Sequence, residues 1–297
     1  MKDVELTFAI PFHQGLDYLR IAIESVRQQS EANWQLVVCD DGDEAEAEAL
    51  VASYADSRIV YRRNSAGRGM VDNWNYCLEQ SETDLVTLLH ADDRVRPNYA
   101  RLMLGLAHQH EQAAAFFCGA SIIDALGKPR FSFVDAIKRV FVPRGSGPMP
   151  LQGEGALRAL MAGNFIMCPT LCYRRSVLGT RSFSNDWRQV QDLEFSARLL
   201  LEGERLIGAR DVAYEYRRHP EAATARHSAN MLRFDEEFRL FEQVAKLSEA
   251  AGWKRAARTA RSGTIIKLHL VYRALGELLS LRPTLAAEKI RFLVRHW

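Results

Sequence analysis

The sequence has little of what secreted, membrane-spanning or zinc-finger proteins need. No apolar run in its 297 residues approaches the roughly 18 to 20 residues that cross a bilayer. Residues 1–5 contain no basic segment that leads into an apolar block, so we expect no signal peptide. The five cysteines are an odd number and include no C-x-x-C pair, which argues against a disulfide framework or a zinc or redox motif. We therefore expect a cytoplasmic protein with reduced thiols.

Two common phosphate-binding loops are also missing. The sequence contains neither G-x-x-x-x-G-K-[ST] nor G-x-G-x-x-G, which excludes a P-loop and a dinucleotide fingerprint. A phosphate ligand would therefore need a metal ion and basic side chains. The composition, 47% hydrophobic and 26% charged, is that of an ordinary globular protein with a sizeable core.

Strands and helices alternate in the first 110 residues. Short apolar or alternating runs predict strands at 4–10, 34–39, 58–61 and 85–89. Pro11 predicts the end of the first of them. Apolar residues at helical spacing predict helices between the strands. This order predicts β-α-β crossovers and a parallel sheet, as in one half of a doubly wound nucleotide-binding α/β fold.

The pattern changes after residue 110. Strands are predicted at 115–118, 121–124 and 170–173, and a helix is predicted at 191–201. The Pro- and Gly-rich stretch 134–153 predicts mixed sheet and a mobile loop. From about residue 227 the pattern is helical throughout. We therefore divide the chain into a catalytic domain, 1–226, with halves 1–110 for the nucleotide and 111–226 for the acceptor, and a basic helical region, 227–297.

Acidic residues follow the predicted strand ends. Asp40 and Asp41 follow the second strand, Asp92 and Asp93 follow the fourth, and Asp192 begins a later helix. Ligands of open α/β sheets bind beyond the carboxyl ends of the strands. A single aspartate there is usually a turn former or cap, but adjacent pairs repel each other unless a cation or donor compensates. Carboxylates without a Cys/His cluster fit Mg²⁺ or Mn²⁺, which also binds substrate phosphates.

A series of short motifs resembles glycosyltransferase family 2. The motifs are 10–12 (IPF), 37–42 (VVCDDG), 64–67 (NSAG), 73–75 (NWN), 89–93 (LHADD), 169–175 (PTLCYRR), 191–194 (QDLE) and 216–220 (YRRHP). Each is weak alone, but their ordered combination over residues 4–226 is specific. The resemblance implies the GT-A fold, a Rossmann-like, mostly parallel mixed sheet flanked by helices, here with a C-terminal helical extension.

The resemblance also implies roles for particular residues. The donor-binding set is Pro11, Asp40, Asp41, Arg68, Asn73 and Asp92. Within it, Asp41 or Asp40 accepts a hydrogen bond from the imide N–H of uracil or thymine. Asp93 and His219 are the implied metal ligands, and Asp192 is the implied general base. One base opposite one leaving group implies inversion at the anomeric carbon.

The implied activity is a metal-dependent, hexosyltransferase-type reaction. It moves a sugar from a nucleotide-diphosphate sugar, with UDP the first expectation, to a hydroxyl of a glycan or lipid-linked glycan. The expected setting is the synthesis of cell-surface polysaccharide or glycolipid. The sequence departs from the family's pattern at two positions. His90 stands where many relatives have the first acid of D-x-D-D in the metal site, and Asp43 stands where serine is common after Asp-Asp-Gly.

Other readings remain open for the same residues. Asp192 could be a charge at a helix start, with Glu194 as a rival base. His219 could be a surface imidazole and Arg68 an exposed loop side chain. A non-catalytic nucleotide-sugar or glycan-binding module would need no base. A metal-dependent nucleotidyltransferase would share the carboxylates, but residues 11–15 lack the arginine that such enzymes usually carry after the first strand.

The C-terminal segment is basic. From Trp253 to Trp297 ten Lys and Arg face two acids, a net of +8, whereas the whole chain carries +2. The last residues, 290–297 (IRFLVRHW), are typical of amphipathic helices that lie on anionic bilayers. One hypothesis is a peripheral enzyme at the inner membrane face. The other is a helical cap, packed on the catalytic domain or on a second subunit of a homodimer. We expect no nucleic-acid partner, because no recognition motif accompanies the charge.

Overall fold

The computed structural model describes residues 4–65, 69–219 and 231–296. Nine strands form one mixed sheet in the order β3-β2-β1-β4-β8-β6-β9-β5, and β7 pairs with β9. The strands are β1 Leu6–Phe12, β2 Trp34–Asp40, β3 Ile59–Arg63, β4 Leu85–Leu88, β5 Arg94–Val95, β6 Ala115–Ile123, β7 Met149–Leu151, β8 Cys172–Arg174 and β9 Leu206–Arg217. The helices of the catalytic region are α1 Leu16–Arg27, α2 Glu46–Ala52, α3 Met70–Gln80, α4 Tyr99–Gln109, α5 Phe133–Val140, α6 Gly153–Gly163, α7 Arg175–Leu178 and α8 Gln191–Leu201. The C-terminal helices are α9 Leu232–Ala250, α10 Lys254–Ser262, α11 Thr264–Leu279 and α12 Pro283–Arg295.

The first half of the sheet confirms the predicted parallel arrangement. Strands β3, β2, β1 and β4 are all parallel neighbours. Apolar side chains cover both faces of these strands, as expected where helices flank a parallel sheet. The carboxyl ends of the strands therefore meet at one edge, and the acidic pairs lie there.

The predicted end of the first strand at Pro11 is wrong. β1 continues through Pro11 to Phe12, where its last pairs are with β2. β4 pairs with β1 only as far as Ala9, so the proline lies where the strand has a single partner. A residue without an N–H is tolerated at such a position.

The expected mobile loop at 134–153 is also partly wrong. Residues Phe133–Val140 form helix α5, with the Ser132 hydroxyl accepting a hydrogen bond from the Asp135 N–H at its start. Proline and glycine are concentrated only after this helix, and β7 at Met149–Leu151 ends the segment. The two strands predicted at 115–118 and 121–124 form one strand, β6, with an irregular register around Gly119. The strand predicted at 170–173 is split into a 3₁₀ turn at Cys168–Thr170 and β8.

The C-terminal helices pack on the catalytic region, as the cap hypothesis predicts. Leu240 of α9, Ala260 of α10 and Ile266 of α11 belong to the same buried cluster as Val37 and Leu157 of the catalytic region. Within the described ranges, no helix combines the length and the apolar character that crossing a bilayer requires. The domain boundary at 226 and the membrane hypothesis stay predictions.

Candidate active site

The first acidic pair divides into one bonded carboxylate and one that is largely free. Asp40 is fully buried, and its Oδ1 accepts a hydrogen bond from the Gly42 N–H at 2.8 Å. Its Oδ2 accepts from Tyr61 at 2.6 Å and from Arg63 at 3.1 Å, both on β3. Among the described residues, Asp41 has a 3.2 Å side-chain contact from its Oδ1 to Nδ1 of the exposed His13. The Asp41 side chain is 6% exposed; its burial raises the pKa of Asp41, and His13 opposes this change.

Two residues fix the backbone beside this pair. A Cβ atom on Gly42 would lie 1.6 Å from the His13 carbonyl oxygen, so only glycine fits. Asn73 on α3 donates to the Cys39 carbonyl at 2.9 Å and to the Phe12 carbonyl at 3.4 Å. Its Oδ1 accepts from Asn64 at 3.2 Å. Asn73 thus joins the ends of β1 and β2. Its side-chain nitrogen and oxygen, which a contact to the sugar donor would use, already form these hydrogen bonds.

Of the two remaining predicted donor-binding residues, Pro11 lies at this edge. Pro11 is half-buried and lies one residue before the Phe12 carbonyl, which accepts a hydrogen bond from the Asp41 N–H at 3.0 Å. Pro11 is therefore joined to Asp41, the candidate base-binding residue, through the backbone hydrogen bond of its neighbour Phe12. Arg68 lies outside the described residues.

The second acidic pair divides in the same way. Asp93 is fully buried, and its two oxygens accept from the Arg217 N–H at 2.6 Å and from the Tyr214 hydroxyl at 3.0 Å. Burial and the neighbouring Asp92 raise the pKa of Asp93 well above its usual range. The Asp92 side chain is 32% exposed and contacts Nε2 of His219 at 3.0 Å. Burial raises the pKa of Asp92, but His219 and His90 outweigh it and lower the pKa, so Asp92 is a carboxylate.

These residues form a group that could hold a divalent cation. Ligand atoms of His90, Asp92 and Asp93 all lie within 4.8 Å of one another. The buried Nε2 of His90 has no hydrogen-bond partner among the described residues, and its ring packs 5.3 Å from that of Trp74. Two carboxylates and a histidine nitrogen within this distance fit a metal ligand set. Trp74 itself is buried, as expected for a core residue.

The strand β9 and helix α1 position His219. Arg217 is buried, and its guanidinium donates to the Asp92 carbonyl at 2.6 Å and to the carbonyls of Asp124 and Ala125 at 3.1 Å. Tyr18 on α1 packs against both Arg217 and His219, with ring centroids 5.2 Å apart in the second case. These contacts hold the His219 imidazole against Asp92.

The third acidic group lies at the start of α8. Asp192 is half-buried, and burial raises its pKa, while the backbone N–H groups of Asp192 and Leu193 and the charges of Lys138 and His90 oppose this change. A carboxylate with a raised pKa is suited to accept a proton near neutral pH. Glu194, the rival base, is buried and accepts two hydrogen bonds from Arg198, at 2.7 and 3.3 Å.

Sequence reasoning missed several of the supporting residues. Arg217 and Tyr18 have no role in the sequence analysis, although Arg217 lies in the motif at 216–220. Its buried position depends on three carbonyls that are distant in sequence, so no local signal reveals it. Lys138 was hidden in the segment predicted to be a loop. Its position in the last turn of an amphipathic helix is the available signal.

The fold and the site together define a class of protein. A mixed sheet with a parallel nucleotide-binding half, carboxylates at its edge and a helical extension is the GT-A glycosyltransferase fold. The TarS fragment 1–349 of S. aureus in complex with UDP-GlcNAc superimposes with a TM-score of 0.62 at 14% identity, over 82% of this chain and 66% of that one. The mannosyltransferase PcManGT of Pyrobaculum calidifontis, in complex with GDP-Man and Mn²⁺, gives a TM-score of 0.60 at 15% identity, over 100% of this chain and 88% of that one.

The family follows from the sequence comparison. The model of glycosyl transferase family 2 matches residues 7–178, and the chain belongs to this family. TuaG of Bacillus subtilis (strain 168), a glycosyltransferase whose name assigns it to teichuronic acid biosynthesis, is 27% identical over 212 residues, 70% of this chain and 76% of TuaG. Several other bacterial glycosyltransferases match over less than half of their own length, down to 18%.

Proposed function

We propose that the chain is an inverting, metal-dependent glycosyltransferase that moves a sugar from UDP to an acceptor hydroxyl. One observation carries this proposal. Among the described residues, Asp41, Asp92 and Asp192 form no ion pair with a lysine or arginine, whereas their neighbours Asp40 and Glu194 do. A donor base, a diphosphate with its metal, and an acceptor hydroxyl need one such carboxylate each.

Asp41 is the proposed contact to the donor base. Both oxygens of Asp40 are already hydrogen-bonded, whereas Asp41 has an oxygen available beside the exposed His13. A carboxylate accepts a hydrogen bond from the imide N–H of uracil and has no donor for cytosine N3. The TarS complex with UDP-GlcNAc supports UDP, while the PcManGT complex with GDP-Man makes GDP the alternative to test.

Asp92 and His219 are the proposed residues for the metal-bound diphosphate, with His90 adjacent. Asp93, which the sequence analysis makes the metal ligand, already has both oxygens bonded to Tyr214 and Arg217. Asp93 is fully buried, whereas the Asp92 side chain is 32% exposed, so the geometry favours Asp92 as the carboxylate that a metal-bound diphosphate would reach. The bound Mg²⁺ or Mn²⁺ would offset the negative charge that develops on the departing diphosphate. The Mn²⁺ in the PcManGT complex supports the use of a divalent metal.

Asp192 is the proposed general base. Its carboxylate would take the proton of the acceptor hydroxyl as that oxygen attacks the anomeric carbon and the bond from this carbon to the diphosphate oxygen breaks. Attack from the side opposite the leaving group inverts the anomeric configuration. Burial lowers the pKa of His90, and the charges of both Asp92 and Asp192 oppose this change.

The proposed setting is the synthesis of cell-surface polysaccharide or glycolipid. The relationship to TuaG supports it. The basic C-terminal helices would bring the enzyme to the cytoplasmic face of the membrane as a peripheral protein, because α11 and α12 keep Leu275, Leu279 and Val294 exposed beside lysines and arginines.

A thermal-shift experiment tests the proposal. UDP, dTDP, GDP and CDP would be added with and without Mn²⁺ to the wild type and to Asp92→Asn. We expect Mn²⁺-dependent stabilisation by UDP that the variant loses. Product NMR with a UDP-sugar would then show an anomer opposite to that of the donor. No shift with any nucleotide, or a product of retained configuration, would overturn the proposal.

A further inference from the structure

Helix α5 is amphipathic in the reverse of the usual sense. Its polar face packs on the catalytic region, because Asp135 is buried and accepts a hydrogen bond from Arg218 at 2.8 Å. Phe133, Ile137 and Val140 recur at helical spacing on the opposite face. Phe133 and Val140 are 51% and 79% exposed. A surface helix normally turns its apolar face to the core, so the apolar face of α5 is unusual in pointing away from the protein interior.

The turn before α5 displays two more apolar side chains. Leu126 and Phe131 are 80% and 78% exposed. Hydrogen bonds hold the turn in place: the Asp124 Oδ1 accepts from the N–H groups of Leu126 and Lys128, both at 2.9 Å. The Asp124 carbonyl accepts from the Arg217 guanidinium at 3.1 Å. Because Arg217 also bonds to the candidate metal site, the turn has a fixed position beside the active site.

Helix α11 continues this apolar surface. The ring of Phe133 lies 5.6 Å from that of Tyr272 on α11. The exposed apolar residues of α11 recur at three- and four-residue spacing, so they form one stripe along the helix. They are between 40% and 87% exposed: Leu268, Val271, Tyr272, Leu275, Leu278 and Leu279. We call residues 126–140 and 268–279 together the acceptor-side surface. An exposed apolar patch built from several elements marks an interaction site.

The charge of this surface is strongly positive. Residues 126–144 include five Lys and Arg and one acid, a net of +4, whereas the whole chain carries +2. Lys128, Arg130 and Arg139 are exposed, and none of them forms an ion pair with another residue of the described ranges. The one acid, Asp135, is already paired with Arg218. Exposed cations beside exposed apolar side chains fit a partner whose anionic groups cover an apolar interior.

An anionic bilayer fits the acceptor-side surface better than a second copy of the chain does. In a two-fold symmetric dimer the same patch meets itself. The basic segment 126–144 would then face another such segment, and like charges across an interface are costly. In a bilayer, apolar side chains enter the region below the headgroups while lysine and arginine contact the anionic headgroups. Both features of the surface are then satisfied at once.

We propose that the acceptor-side surface docks the catalytic region on an anionic bilayer, with Leu126, Phe131 and Val140 below the headgroups and Lys128 and Arg130 among them. The turn and α5 are bonded to the end of β9, which carries part of the candidate metal site. Docking therefore fixes the orientation of the active site relative to the bilayer. This inference rests on the proposed function, which assigns membrane contact to the C-terminal helices, and adds to it a contact that the catalytic region makes itself.

Flotation of the full chain with vesicles tests the docking. The vesicles would contain phosphatidylcholine alone or a mixture with the anionic phosphatidylglycerol. We expect binding to the mixed vesicles that salt weakens, and little binding to the neutral ones. Phe131→Ser should weaken this binding about tenfold, the lower end of the range for losing a buried aromatic side chain. Leu247→Ser, at a 47% exposed position of α9, should stay within about twofold.

A charge reversal and a fluorescent label locate the contact. Arg130→Glu should weaken binding to the mixed vesicles about 20-fold, because one cation is lost and one anion is gained, each changing the affinity about fivefold. Arg101→Glu, at an exposed position of α4, should weaken it less than about threefold, because a charge far from the bilayer is screened. An environment-sensitive dye on Leu126→Cys should shift to the blue with mixed vesicles, and the same dye on Leu247→Cys should not. Equal losses in Arg130→Glu and Arg101→Glu, or no blue shift at position 126, would overturn the docking surface.

Two further comparisons separate this inference from the proposed function. If Val294→Ser, on α12, weakens vesicle binding and Phe131→Ser does not, the docking surface is wrong and the C-terminal contact stands. Stabilisation by UDP and Mn²⁺ should be the same in Phe131→Ser as in the wild type. If no nucleotide stabilises either protein, the proposed function fails whatever the vesicles show. No binding to either kind of vesicle, or a dimer in sedimentation that Phe131→Ser dissociates, would overturn the docking surface alone.

Discussion

The two strand-end acidic pairs are built on one plan with the order reversed. In Asp40-Asp41 the first carboxylate is buried against Gly42, Tyr61 and Arg63, and the second retains a free oxygen. In Asp92-Asp93 the second is buried against Tyr214 and Arg217, and the first is partly exposed and contacts His219. In both pairs one aspartate holds the strand end together and a histidine contacts the other.

This comparison shows why adjacent aspartates are tolerated at both strand ends. One carboxylate of each pair has its charge or its hydrogen-bonding capacity satisfied by groups from β3 or β9, so the repulsion within the pair is reduced. The remaining carboxylate can then bind a ligand without destabilising the fold. Asp192 and Glu194 of α8 follow the same division, because Arg198 neutralises Glu194 and leaves Asp192 available.

The largest expected effect is on the pair in α8. Asp192→Asn should reduce transfer by about 100- to 10,000-fold, the usual contribution of a general base, without changing UDP binding. Glu194→Gln should instead lower the free energy of unfolding by about 1–3 kcal/mol, because it weakens a bidentate pair with Arg198. Steady-state transfer rates and thermal melts of both variants check this. A larger rate loss in Glu194→Gln would make Glu194 the base.

The pair at the end of β4 gives the next largest effect. Asp92→Asn should keep the melting temperature of the free protein and lose about 100- to 1,000-fold in transfer, because it removes a ligand for the charge-stabilising metal. Asp93→Ala should lower the free energy of unfolding by about 2–4 kcal/mol, because it leaves the buried Tyr214 hydroxyl and Arg217 N–H without acceptors. Melts without ligand and rates with excess Mn²⁺ separate the two. If Asp92→Asn lowers the melting temperature and Asp93→Ala does not, the proposed division between a ligand-binding Asp92 and a structural Asp93 is wrong.

The pair at the end of β2 should affect donor choice. Asp41→Asn should weaken UDP by about 10- to 100-fold, the range for losing a hydrogen bond to a charged group, and improve CDP relative to UDP, because an amide can donate to cytosine N3. Asp40→Asn should leave the UDP-to-CDP ratio unchanged and lower the melting temperature. Calorimetry with both nucleotides measures the ratio. A changed ratio in Asp40→Asn alone would reverse the assignment.

The two histidines should give the smallest effects, and these should be unequal. His219→Ala should weaken Mn²⁺ about tenfold, because the imidazole contacts Asp92 and is held by Tyr18. His13 is 69% exposed, so His13→Ala should change UDP affinity by less than about fivefold. Mn²⁺ titrations monitored by water-proton relaxation, and UDP calorimetry, provide the two values. An equal loss of Mn²⁺ affinity in both variants would contradict the different roles.

Much of the fold could be predicted because its signals are local. The parallel half of the sheet has alternating or apolar runs separated by helical periods, and α8 was placed at 191–201 as observed. The sequence does not predict helix α5, because the proline- and glycine-rich stretch directly after it makes the whole of 134–153 resemble a loop. The predicted end of β1 at Pro11 is too early. Pro11 is tolerated in the strand because β4 ends before it and does not pair with it, and the length of β4 is not evident from the sequence around Pro11.

The acidic pairs could also be found from sequence, but the division within each pair could not. The groups that satisfy Asp40 come from β3, more than twenty positions away, and those that satisfy Asp93 come from β9, more than 120 positions away. No local pattern identifies which aspartate they reach. For this reason the sequence analysis leaves Asp40 and Asp41 open and places the metal on Asp93.

An anomalous diffraction map at the manganese edge, from crystals grown with UDP and Mn²⁺, tests the central claim most directly. The account predicts a manganese peak at about 2.0–2.2 Å from a carboxylate oxygen of Asp92, the distance usual for a small divalent ion, with the Asp93 bonds to Tyr214 and Arg217 intact. It also predicts the uracil imide beside Asp41. A peak coordinated by Asp93 with those two bonds broken, or a base held by Asp40, would contradict it.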